Sequence, residues 1–399
     1  MINVNRQLLD KKWGGIMLQD KLAKQLRDEI NAEYTYFSKL KNTKEANNVW
    51  NQICAMMDRI EQTIWHINLL DLHLSDHTSL AYGFIDVLNH VNNLAEYINI
   101  IHLYFPTETY DTFINSYDVF NKPGKSGKGS DLKYLNYLRS LSAPHALNTS
   151  HYKSLYQDSQ EYCPLIIWDR RSHQNGIKTD IVFHVYKDDG ESSKDICLES
   201  RKIYEFAEKM IYSLTFVFHE IHIKAEQYFS NLSKLPLKNM SECSSKSEYI
   251  SYINIEYTNR LTNDYAEIFD YYATLFDYDF SHLSSLSLVQ KYKDSVWNSI
   301  VVFSEFLQTL EETKNTMRFK DLYCPYPRGN KLLKYGYHLQ KIDLLIDDKR
   351  HDSLFARSLI NEMRDFFNQY FDMDKAYTDF ELFTLISASL YQYMCELEQ

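Results

Sequence analysis

The stretch CPLIIWDRRSHQNGIKTDIVFHVYKDDGESSKDICLE, residues 163–199, decides the fold class. Its runs CPLIIWD, DIVFHVYK and KDICLE are short and rich in β-branched and aromatic residues. RRSHQNG and DDGESS, which separate them, are good turn sequences. The pattern predicts a small antiparallel sheet at 162–199, inserted between helices.

Everything around it reads as helix. Upstream, Ile16, Leu18, Leu22, Leu26, Ile30, Tyr34 and Phe37 recur at helical spacing over 16–40. Long helical patterns follow near 44–74 and 78–104, the second ended by Pro106, which cannot continue a helix without losing a hydrogen bond. A short helix near 107–118 leads into NKPGKSGKGSD (121–131), expected to be a flexible basic loop. Ser130 or Asp131 then caps a helix carrying Leu132, Leu135, Leu138 and Arg139. Downstream, a long helix spans about 200–234 and stops before Pro236. The polar stretch NMSECSSKSE (239–248) is the best domain boundary, and further helices are expected near 248–277, 285–314, 328–346, 350–373 and 377–397. The expectation is a mainly α protein with a helical domain at 1–238 that carries the β insertion, and a C-terminal helical domain at 239–399.

Composition agrees. Among 399 residues, 44% are hydrophobic and 24% charged, with only 10 Gly and 7 Pro, so long helices should dominate. The 32 Tyr and 22 Phe must fill seams between helices, with Tyr hydroxyls kept at the wet edge. A formal net charge of −11 argues against a broad basic surface for duplex nucleic acid, leaving the Lys-rich stretch 122–133 as the one obvious basic groove. Cysteines 54, 163, 197, 243, 324 and 395 are scattered without a C-x-x-C pair, which fits reduced cytosolic thiols. The start, MINVNRQLLDKKWGG, has no apolar signal region, and no window approaches about 18 uninterrupted apolar residues. A soluble cytoplasmic protein that does not enter a membrane is expected.

Several constellations compete for function. GKSGKGS suggests a phosphate cradle, but Ser130 and Asp131 stand where a P-loop needs Lys and Ser or Thr. HEIHIKAE puts His219, His222 and Glu226 on one helix face, a geometry open to metal, although the second His arrives one position early for a zinc-protease motif. His66, His73 and His77, with Asp71 and Asp76, cluster near the end of the second long helix, where they suit its dipole. No G-x-S-x-G elbow occurs.

The remaining candidate is Arg139-Ser-Leu-Ser-Ala-Pro-His145. Six residues of unbroken helix would turn the two side chains about 240° apart, so the break at Pro144 is what would bring them to one cleft. Histidine moves protons at neutral pH, and the planar fork of arginine stabilises phosphoryl charge. Arg59…His66 has similar spacing but lies in a continuous apolar helix, so it reads as structural.

With its R-x(4–6)-H spacing and the small polar Ser140 after the arginine, the first pair resembles the motif of the HEPN superfamily, helical-bundle proteins that include toxin and abortive-infection ribonucleases. The resemblance covers the motif closely and residues 16–234 loosely. It implies metal-independent RNA cleavage with no cofactor, Arg139 and His145 as catalytic residues, and an active site completed across a homodimer. Lys122, Lys125, Lys128 and Lys133 would guide the RNA backbone, and a regulatory protein would be a further partner. Two other readings stay open: a non-enzymatic helical sensor or partner-binding protein, and a metal-dependent enzyme using His219, His222 and Glu226.

Overall fold

The structure, a computed structural model, describes residues 17–40, 49–70, 77–142, 152–168, 173–174, 177–178, 180–187, 194–262, 264–325, 332–346 and 352–397. The chain divides into two compact units, Met1–Glu226 and Gln227–Gln399.

In the first unit, the pattern over 16–40 forms α1 (Lys21–Ala32) and α2 (Tyr34–Lys39), separated by Glu33 with φ −102° and ψ 27°. Then come α3 (Val49–Leu69), α4 (His77–Tyr104) and α5 (Glu108–Ile114), whose first turn is capped by the Thr107 hydroxyl accepting from the Tyr110 N–H at 3.1 Å. The helix α6 (Asp131–Ser142) follows the lysine loop. Phe84, Val87, Leu88, Val91, Leu94, Ile98 and Ile101 make α4 buried along most of its length, and it packs on α3 and α6.

The β insertion is present. Its strands are β1 (Glu161–Trp168), β2 (His173–Gln174), β3 (Ile177–Lys178), β4 (Ile181–Lys187) and β5 (Lys194–Leu198). A three-stranded antiparallel sheet has the order β1-β4-β5, and β2 and β3 pair separately. The β1–β4 register shifts between Tyr162 and Leu165, where Pro164 has no N–H to give the ladder. Ile181, Phe183 and Val185 alternate inward, and Phe183 meets Phe84 of α4 edge-on. The pattern expected over 200–234 divides at Leu214 into α7 (Ser200–Ser213) and α8 (Thr215–Ser233). The unit boundary therefore falls within α8, upstream of the polar stretch 239–248.

In the second unit, the single helix expected near 248–277 is two, α9 (Lys246–Arg260) and α10 (Ala266–Asp277), because Leu261 leaves helical geometry at φ −125° and ψ −101°. Next are α11 (Leu286–Thr309) and α12 (Arg318–Leu322). No continuous helix covers 328–346: the described part is a 3₁₀ turn at Leu333–Tyr335, α13 (Gly336–Leu339) and a 3₁₀ segment at Ile342–Leu345. Leu339, Ile342, Leu344 and Leu345 all turn inward, a spacing that no one face of an α-helix supplies. The chain continues through α14 (Ser353–Asn361), α15 (Arg364–Phe367) and α16 (Asp379–Leu397).

The aromatic residues do fill the seams: Phe269, Phe303 and Phe319 form a buried cluster, with 4.5 Å between the centroids of Phe303 and Phe319. Not every tyrosine hydroxyl stays wet, however. Tyr272 and Tyr292 are fully buried and donate to the Phe319 and Leu322 carbonyls at 2.5 and 2.6 Å. Buried backbone acceptors replace water there. Among the described residues, no helix is long and apolar enough to cross a membrane.

Candidate active site

Helix α6 positions Arg139. Ser130 is its cap, accepting the Lys133 N–H at 3.3 Å. Tyr134, Leu135, Tyr137, Leu138 and Leu141 are buried, which leaves Arg139 facing partly outward in the last turn. The Ser140 and Ser142 hydroxyls donate to the Tyr137 and Arg139 carbonyls at 2.7 and 3.0 Å, and the Arg139 carbonyl is one of the four acceptors that the helix end otherwise leaves open.

The Arg139 side chain is 41% exposed, and its Nη1 lies 3.7 Å from Oε1 of Glu96 on α4, an ion pair but not a hydrogen bond. Asn92 sits one turn before Glu96, is fully buried, and donates from Nδ2 to Glu96 Oε1 at 2.7 Å. That bond holds the carboxylate on the guanidinium side. Tyr152 is the third neighbour. Burial pushes its phenol above the ordinary range while the Arg139 charge works against the rise, so the phenol remains protonated and able to donate.

His145 falls in 143–151, outside the described residues, as does His151. The juxtaposition of Arg139 and His145 across Pro144 is therefore not part of the described geometry. Glu96 and Asn92 belong to the Arg139 surroundings although no motif marks them; the signal for them is α4 packing on α6, a tertiary fact. Asp131, an expected partner for Arg139, is engaged elsewhere. It is 2% exposed, accepts the Val119 and Phe120 N–H groups at 3.1 and 3.0 Å, and pairs with Lys209 Nζ of α7 at 2.7 Å. Lys209 also meets Asp118 at 2.5 Å. Burial alone would raise the Asp118 carboxyl, but Lys209 and Ser116 outweigh it and bring it down to about 2.

The lysine loop is fastened at several points, against the expectation of a flexible one. Lys125 N–H donates to the Leu155 carbonyl and Gly129 N–H to the Pro123 carbonyl, each at 2.7 Å. Gly124 has φ +66°, and a Cβ on Gly129 would stand 2.6 Å from the Pro123 carbonyl carbon. The glycines thus serve the closure of the loop itself, which accounts for them without a phosphate. Lys125 pairs with Asp158 and donates to the Gln157 carbonyl. Lys133 donates to the Lys128 carbonyl at 3.0 Å, and Lys122 lies over the Tyr134 ring. Lys122 and Lys128 are the more exposed of the four. Along α6, Lys133 and Arg139 are about 9 Å apart.

The competing metal reading loses its central residue to an ion pair. His222 lies between Glu33 and Glu29, with Nδ1 and Nε2 at 2.9 and 2.8 Å from their carboxylates, while His219 and Glu226 are exposed. Those hydrogen bonds raise the His222 pKa and favour its protonated form, which cannot ligate a metal. Among the described residues, no group of three His, Cys, Asp or Glu side chains is arranged to hold a metal ion. His66 packs its ring 4.3 Å from that of His90 on α4, whereas Asp71, His73 and Asp76 are outside the described residues. Arg59 and His66 both lie on the continuous helix α3, as their structural reading requires.

Compared with protein-family models, curated proteins and solved structures, the chain matches none.

Proposed function

We propose that the protein is a metal-independent endoribonuclease of HEPN type, an abortive-infection or toxin effector, in which Arg139 and His145 act together. The observation that carries this reading is the state of Arg139. It is half-exposed at the end of a buried helix and, among the described residues, held by one loose carboxylate contact, so an incoming phosphate could take the place of Glu96. A bidentate guanidinium–phosphate pair is shorter and stronger than that contact. His145 would move the proton of the attacking 2′-OH or of the leaving oxygen, and Arg139 would stabilise charge on the phosphoryl oxygens. The Tyr152 phenol adds a donor near the same charge. Lys122 and Lys128 are the better placed of the four lysines to steer RNA, because Lys125 and Lys133 already have partners. A homodimer would supply the second pair of catalytic groups.

The test is digestion of RNA by wild type, Arg139→Ala and His145→Ala, each checked for folding by circular dichroism. Each variant should lose on the order of 10²-fold or more in rate. Products should end in a 2′,3′-cyclic phosphate, and EDTA should not inhibit. Equal cleavage by all three proteins would refute the assignment. The partner-binding alternative has in its favour the exposure of Trp65, Tyr82 and Leu103 in the same unit; failure of wild type to cleave RNA would turn attention to it.

A further inference from the structure

A cleft of about 480 Å³ in the second unit lies among α11, α12 and α16. That volume falls within the range of about 300–1,000 Å³ usual for small-molecule sites. Lys291 and Arg318 line it, and neither side chain makes a hydrogen bond or ion pair within the described residues. In a chain of net charge −11, Arg27, Arg139, Arg201, Arg260, Arg357 and Arg364 each meet a carboxylate; among the described arginines Arg59 and Arg318 do not, and Arg318 shares its cleft with Lys291. The Asn298 and Asn315 side chains face the same cleft and likewise make no hydrogen bond among the described residues. Asp294 is the cleft's carboxylate and, among the described residues, accepts only from Gln290 at 2.9 Å, which leaves acceptor capacity. The half-buried Tyr391 ring completes the wall, its hydroxyl engaged with Ser295 and Cys395.

These groups differ in kind, and together they describe a ligand. Two cations select a phosphate, with the arginine offering a fork that matches its oxygens. A carboxylate with spare acceptor capacity suits a ribose hydroxyl, while amides pair with the donor and acceptor edges of a base. A purely apolar ligand would leave these polar groups unpaired, and one carboxylate is too few for a metal cage. We propose that this cleft binds a nucleoside monophosphate, held at its phosphate by Arg318 and Lys291, at its ribose by Asp294, and at its base by the Asn298 and Asn315 amides. The site belongs to the second unit and does not depend on the reading of Arg139.

Calorimetric titration of the full chain at low salt with AMP, GMP, CMP and UMP tests this, with inorganic phosphate and adenosine as separate arms. At least one nucleotide should bind below millimolar concentration, and phosphate and adenosine should each bind about tenfold more weakly or worse. Arg318→Ala should weaken the nucleotide about tenfold, and Lys291→Ala with Arg318→Ala further still. Lys314→Ala removes the same charge outside the cleft and should change affinity less than about twofold. Exposed Arg318 and Lys291 are not core residues, so folding should survive, and equal thermal midpoints would verify it. No binding of any of the four nucleotides at millimolar concentration overturns the proposal. So does phosphate binding as tightly as the best nucleotide, or an Arg318→Ala variant that binds like wild type.

Discussion

Arg139 in the first unit and Arg260 in the second are both near the end of a helix, yet their surroundings differ sharply. Arg260 has a side chain only 4% exposed, an ion pair to Glu256, and hydrogen bonds to the carbonyls of Leu232, Leu235 and Leu307. It closes the C-terminal ends of α8 and α11, where carbonyls lack partners within the helix. Among the described residues Arg139 has one carboxylate, at 3.7 Å, and it is half in solvent. A guanidinium engaged through all three of its nitrogens is architecture, whereas one held loosely at a surface is available to a ligand. Residue type is the same in both, so partner count and burial are what separate the roles.

Arg260→Ala should have the largest effect on stability. It would leave the buried Leu307 carbonyl without this donor, at about 1–3 kcal/mol, and Glu256 without its cation, so a loss of about 3–5 kcal/mol is expected in a urea melt. A loss below about 1 kcal/mol would erase the contrast between the two arginines. Lys209→Met should come next, because it leaves Asp131 buried without its cation. The expected cost is about 3 kcal/mol, the low end for a broken buried pair, since Asp131 keeps two backbone donors. Arg139→Ala should shift stability by no more than about 0.5 kcal/mol, as for other half-exposed ion pairs, and a larger loss would move it into the structural class with Arg260.

The smallest effect concerns His222, which joins α8 to Glu29 and Glu33. Its pKa is raised in the folded state, so its contribution is complete below the unfolded value of about 6.5 and is lost as pH rises through the folded value. The His222 hydrogen bond lowers the pKa of Glu29, so that carboxylate's contribution is lost only as pH falls through its depressed value. The thermal midpoint of wild type should therefore exceed that of His222→Gln most at about pH 5–6, and the gap should narrow by about pH 9. A gap that widens toward alkaline pH would show that the clamp does not hold a protonated imidazole.

The sequence alone determined the class of the fold. Helical spacing of apolar residues marked α3, α4, α11 and α16, and the alternation in DIVFHVYK marked the inserted sheet, because periodicity follows directly from burying one face. It also placed Arg139 in the last turn of a helix, since the leucines before it and the proline after it are local signals. Tertiary structure decided the rest. The splits at Glu33, Leu214 and Leu261 and the short turns over 332–346 arise where packing overrides a local pattern. Only packing could assign Asp131 to Lys209, His222 to two glutamates and Glu96 to Arg139, because each pair joins residues far apart in the chain. Charge pairing depends on which helices meet and how much water remains between them, and neither quantity is written in the spacing along one helix.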